Sequence, residues 1–150
     1  MKKSRFWILI VPLLFFASTN NAQDIKVHEM IGKTVDQVIA NYGKPAHQDR
    51  SNPAMECVFY KTKKHQIVFV ANESGVFQAE GSNYYNSKSS AEKAMSKLIA
   101  KCVKGGFTSD TLNVAEFNLH KTGIDMNLSL FENTYSKKYE LKVKANKTID

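Results

Sequence analysis

The chain has 150 residues, 43% of them hydrophobic, and a formal net charge of +7 from 21 Lys and Arg against 14 Asp and Glu. That length supports one domain with enough chain to bury a real core. Its densest basic spots, Lys63-Lys64, Lys137-Lys138, Lys142 and Lys144, are not interleaved with aromatics and arginines, which argues against a nucleic-acid groove.

At the N-terminus, Lys2, Lys3 and Arg5 form a positive segment followed by the apolar run "FWILIVPLLFFA" and then the polar "STNNAQ". This is the pattern of a secretory signal peptide. The run falls short of the roughly twenty residues that span a bilayer, and Pro12 interrupts it. Cleavage after Ala22 is expected, leaving residues 23–150 as a single periplasmic or secreted domain of net charge +4. No cysteine lies near the junction, so neither lipidation nor a stable membrane anchor is expected.

The first element of the mature chain is written in "GKTVDQVIANYGKP", residues 32–45. Thr34 with Gln37 three positions on makes a capping box, and Val35, Val38, Ile39 and Tyr42 share one helical face. Gly43 caps the end and Pro45 forbids continuation. Asp36, Ala40 and Asn41 are left as the outer surface. After a loop through "AHQDRSNPAM", three strands are expected at "ECVFYK", "HQIVFVAN" and "GVFQAEG", and Tyr84 and Tyr85 fall in the polar connection beyond them.

A second helix follows, in which Ser89 and Glu92 form another capping box and Ala91, Ala94, Met95, Leu98, Ile99, Cys102 and Val103 make an apolar stripe ended by Gly105 and Gly106. One strand is expected around "TLNVAEFNL". A hairpin completes the chain, with Ile124, Met126, Leu128 and Leu130 alternating with polar residues, and Tyr139, Leu141, Val143 and Ala145 doing the same. The expected fold is α+β, in the order α-β-β-β-α-β-β-β, with one antiparallel sheet and two helices on one face. The order suggests a tandem αβββ repeat. Cys57 and Cys102 survive maturation, and an even pair in an oxidising compartment points to one disulfide, the alternative being two buried thiols. Cys57, sharing a face with Met55 and Phe59, is expected to meet Cys102 on the packed helix.

Residues 32–81 resemble the small outer-membrane-assembly lipoprotein family often called SmpA/BamE, and the related repeats of β-lactamase inhibitor protein. The likeness is carried by Gly32, Thr34, Gln37, Val38, Gly43 and Pro45, then Asp49, Phe59-Tyr60 and "IVFVANESGV". It implies a small binding or scaffolding module of the cell envelope without catalysis or cofactor. The lipidated cysteine is absent, and no contact residue of the inhibitor is matched, so neither anchoring nor inhibition carries over.

No HExxH, GxSxG, GxGxxG or phosphate loop occurs, and His28, His47, His65 and His120 are scattered without partner spacing. No CxxC and no paired histidines at helical spacing suggest a metal. The expectation is a protein that is not an enzyme, takes no cofactor and binds another envelope protein, with Tyr84 and Tyr85 as contact residues. The alternative is a small periplasmic hydrolase or ligand-binding protein whose site assembles around His47, Asp49 and His65.

Overall fold

The computed structural model describes residues 25–149, so the leader, its cleavage point at Ala22 and the domain boundary drawn there lie outside the described residues. A 3-10 turn, Val27–Met30, leads into helix α1, Val35–Tyr42. Both halves of its capping box form. The Gln37 backbone N–H donates to the Thr34 hydroxyl at 3.2 Å, and the Thr34 N–H donates to Gln37 Oε1 at 2.9 Å. Gly43, at φ +81°, ends the helix where a side chain would be strained. Asp36 is less bland than its position suggested. Arg50 reaches it at 2.8 Å and Glu56 at 2.7 Å, tying the first turn of the helix to the strands that follow.

Those strands are β1 (His47–Asp49), β2 (Glu56–Lys61), β3 (His65–Asn72) and β4 (Gly75–Tyr85). Helix α2 (Lys88–Lys104) follows, then β5 (Thr108–Asn113), β6 (Glu116–Lys121), β7 (Ile124–Asn133) and β8 (Lys138–Lys147). All eight form one antiparallel sheet in the order β1-β2-β3-β4-β8-β7-β6-β5. The α+β class stands, but the expected strand count does not: each helix precedes four strands. The loop containing Asp49 holds the short strand β1, and the single strand expected at 111–119 is divided into β5 and β6 by a turn at Val114-Ala115. Asn113 makes that turn by accepting the Ala115 N–H at 2.9 Å. The last strands of the two halves, β4 and β8, pair to form the middle of the sheet.

Strand register explains why one face is apolar. Tyr60, Ile67, Gly81, Val143, Leu128 and Phe117 form one row across β2, β3, β4, β8, β7 and β6, and Val58, Phe69, Ala79, Ala145, Met126 and Leu119 form the next. The second row is wholly buried. Tyr42 of α1 packs on this face, its ring 5.6 Å from that of Tyr60 and 5.1 Å from that of Phe69. Tyr60 Oη donates to the Gly43 carbonyl at 3.0 Å and locks the helix end in place. In α2, Ala91, Met95, Leu98 and Cys102 are buried in the same core. The helix starts earlier than expected: Ser87 is the N-cap, accepting the Ser90 N–H at 3.3 Å, in place of a box from Ser89 and Glu92.

Candidate functional site

The alternate positions of the same strands build the second face of the sheet. Phe59, Val68, Glu80, Lys144, Asn127 and Asn118 make one row, and Cys57, Val70, Gln78, Asn146, Asp125 and His120 make its neighbour. The face is thus graded. Half-buried Cys57, Phe59, Val68 and Val70 give β2 and β3 an apolar end, whereas the centre and the far strands are polar. At the centre, Lys142 Nζ reaches Glu80 Oε1 at 2.6 Å diagonally across the β4–β8 pair. Farther out, Asn127 Nδ2 donates to Asn118 Oδ1 at 2.9 Å and to Glu116 Oε1 at 3.3 Å. His120 Nδ1 and Asp125 Oδ1 are paired across β6 and β7.

Tyr84 and Tyr85 are the last residues of β4, not a loop. Strand alternation therefore separates them. Tyr84 lies opposite Glu140 on the second face, while Tyr85 lies opposite Tyr139 and packs against the core. Burial pushes the Tyr84 phenol up, Glu140 adds to the rise and Lys142 opposes it, so the hydroxyl lies within the field of both charges. Only Tyr84 of the expected pair belongs to an open surface.

The expected Cys57–Cys102 disulfide is not formed, and both residues are free thiols. Cys57 does share a face with Phe59, but that face is the one turned away from the core, since Val58 and Tyr60 are the buried residues of β2. Cys102 is buried with the stripe of α2. Burial raises the thiol pKa of both.

His47, Asp49 and His65 do not converge. His47 and Asp49 lie on β1 opposite Phe59 and Cys57, whereas His65 falls in phase with buried Ile67 and engages Thr62 Oγ1 through Nδ1 at 3.1 Å. Asp49 is turned to its own loop, accepting from the Ser51 hydroxyl at 2.7 Å and the Ser51 N–H at 3.0 Å, which lowers its pKa. Among the described residues, no group of three or more His, Cys, Asp or Glu side chains could hold a metal ion.

A cavity of about 360 Å³ opens at the C-terminal end of α2, lined by His28, Glu29, Ile31, Lys101, Cys102, Gly105, Phe107, Lys121 and Ile124. The His28 ring stands edge-on to Phe107 at 5.7 Å. Lys121 Nζ lies 5.6 Å from the centre of the Phe107 ring and donates to the Gly105 carbonyl at 2.9 Å. Sequence reasoning passed over this grouping because its members come from three separate stretches, 28–31, 101–107 and 121–124, and obey no common spacing.

No family model and no curated protein matches the chain. Two solved structures are similar in outline. One is an extracellular protein containing a SCP domain from Bacillus anthracis, 14% identical with a TM-score of 0.46, the match covering 97% of this chain and 50% of that one. The other is a cysteine-rich secretory protein from Staphylococcus aureus, 10% identical with a TM-score of 0.42, covering 77% of this chain and 42% of that one. The chain thus spans half or less of each, and likenesses at these TM-scores carry no argument about activity. The resemblance of residues 32–81 to SmpA/BamE and β-lactamase inhibitor protein is corrected: no family model supports it, and neither of these structures belongs to those families. Gly32, Thr34, Gln37, Val38, Gly43 and Pro45 are the punctuation of a short helix, which unrelated chains reach by the same physics.

Proposed function

We propose that the mature chain is an exported, non-enzymatic binding module whose second sheet face, from Phe59 and Val68 to Tyr84 and Lys142, contacts another envelope protein. In this reading the leader directs export, both helices lie on the apolar face, and the opposite face is the working surface. The observation that carries it is the grading of that face: an apolar end beside a charged centre, on a continuous eight-stranded scaffold. Aromatic and aliphatic side chains next to an ion pair offer a partner both apolar contact area and a directional charge. The hydrolase alternative loses its basis because His65 is turned from His47 and Asp49. Affinity capture from the envelope fraction tests the proposal, comparing the mature protein with a Phe59→Ser, Val68→Ser variant. Loss of one specific band with circular dichroism unchanged supports it. Unchanged capture by the folded variant counts against it.

A further inference from the structure

We propose that the end of the sheet carrying the β5–β6 and β7–β8 turns is a docking surface for an anionic phospholipid bilayer, which it touches reversibly through Val114 and Tyr135. Strand register brings the turns to one end. Lys61, Gln66, Ser82, Lys142, Ser129 and Glu116 form a single row across β2, β3, β4, β8, β7 and β6. The turns at 62–64, 114–115 and 134–137 all leave the sheet beyond that row, on the same side. The β7–β8 hairpin continues past it, through the pair Leu130–Leu141 to the pair Asn133–Lys138, and so projects.

Both hairpin turns hold an apolar or aromatic side chain out in water. Val114 is 93% exposed and Tyr135 is 98% exposed. Neither turn is loose. Asn113 Oδ1 accepts the Ala115 N–H at 2.9 Å, and Asn133 Oδ1 accepts the N–H groups of Tyr135 at 3.1 Å and Ser136 at 3.0 Å. Turn chemistry favours Gly, Pro, Asn, Asp and Ser, so valine and tyrosine in these places are not what the backbone asks for. Leu112 and Phe131 are exposed beside them. Lone exposed apolar residues are ordinary, but a group of them at neighbouring turns marks an interaction surface.

Charge selects the occupant. The stretches 61–65 and 133–138 contain Lys61, Lys63, Lys64, Lys137 and Lys138 and no acid. Among the described residues none of these five lysines is in an ion pair. Glu132 and Glu140 belong to the stem of the hairpin, where Glu140 is buried. Lys137 takes φ +55°, a conformation glycine adopts more easily, so a cation is kept beside Tyr135 against the backbone's preference. Lysines that ring an exposed tyrosine suit a layer of lipid phosphates over acyl chains, because the ammonium groups meet the headgroups while the ring sits at their level. A stable protein interface calls for a broad complementary surface, which two narrow turns do not offer.

The test is co-sedimentation of the full mature protein with vesicles of phosphatidylcholine alone and of equal parts phosphatidylcholine and phosphatidylglycerol. Binding should be confined to the anionic vesicles and should fall as salt rises. Val114→Ser with Tyr135→Ser, and separately Lys137→Gln with Lys138→Gln, should each weaken it about tenfold or more while circular dichroism stays unchanged. Tyr135→Trp introduces the only tryptophan of residues 23–150, and its emission should move to the blue on anionic vesicles. The Phe59→Ser, Val68→Ser variant should bind vesicles as the parent does, which separates this surface from the second sheet face. The inference is overturned if anionic vesicles bind no better than neutral ones, if the folded Val114→Ser, Tyr135→Ser variant binds unchanged, or if the emission of Tyr135→Trp stays unshifted.

Discussion

Gly81 lies directly beneath Ile25: a Cβ built on it would come within 2.8 Å of Ile25 Cγ2 and 3.0 Å of Val27 Cγ1. The segment ahead of α1 therefore crosses the middle of the sheet, over the strand pair that joins the two halves. Only a residue without a side chain lets it approach so closely. Gly81→Ala should destabilise the protein by about 1–3 kcal/mol through overpacking, read as a lower melting temperature. Ile25→Ala should relieve part of that penalty, so the double variant should be more stable than additivity allows.

Val38 is fully buried at the centre of the apolar face of α1. Val38→Asp places a carboxylate there without a partner, at an expected cost of about 3–5 kcal/mol by urea denaturation. Asp36→Ala is the contrasting case. Its partner Arg50 is exposed and keeps Glu56, so the loss should stay below about 1 kcal/mol.

Burial, with help from Glu29 and Tyr60, pushes the Tyr42 phenol up to about 12 from its ordinary 10.0. The folded state thus favours the neutral phenol. Its contribution to stability is complete below pH 10 and disappears as pH rises through about 12. Denaturation midpoints measured from pH 9 to 12 should fall, and Tyr42→Phe should fall less steeply because phenylalanine has no proton to lose. An identical fall in both proteins would show that Tyr42 does not couple to folding.

Both cysteines are free, and they differ in exposure: Cys57 is half-buried and Cys102 is buried. Thiol labelling of denatured protein without reductant should therefore find two reactive groups. In the native state Cys57 should label first, and more quickly at higher pH because its thiol is held above its usual pKa. Failure to label either group in denatured protein would reject the assignment.

The limits of sequence reading can be traced to particular residues. Thr34, Gln37 and Gly43 marked α1 because cap chemistry is local, and the alternation from Ile124 to Leu130 marked β7 because one face is wet and the other is not. The phase of β2 could not be read in the same way. In "ECVFYK" both Cys57–Phe59 and Val58–Tyr60 are apolar sets, and only packing against α1 decides which turns inward. That choice cost the disulfide assignment. Strands β1 and β5 escaped because every residue in them is exposed, so neither carries a burial pattern. Tyr84 and Tyr85 read as a loop since Gly81-Ser82-Asn83 looks like turn composition. Gly81 is there instead to admit Ile25, and Ser82 and Asn83 are buried strand residues. The hollow around His28 lay beyond any pattern search, because tertiary contact alone brings His28, Phe107 and Lys121 together.

The proposal that the second sheet face makes the contacts is tested most directly by site-specific photo-crosslinking in cells that make the protein. A photoreactive residue would replace Val68 or Tyr84 on that face, and Asn41 or Lys93 on the helices, one position at a time. The account predicts a discrete crosslinked species from Val68 and Tyr84 and none from Asn41 and Lys93. A crosslinked species from the helix positions alone, in variants that all fold, would place the binding surface on the helices and contradict it.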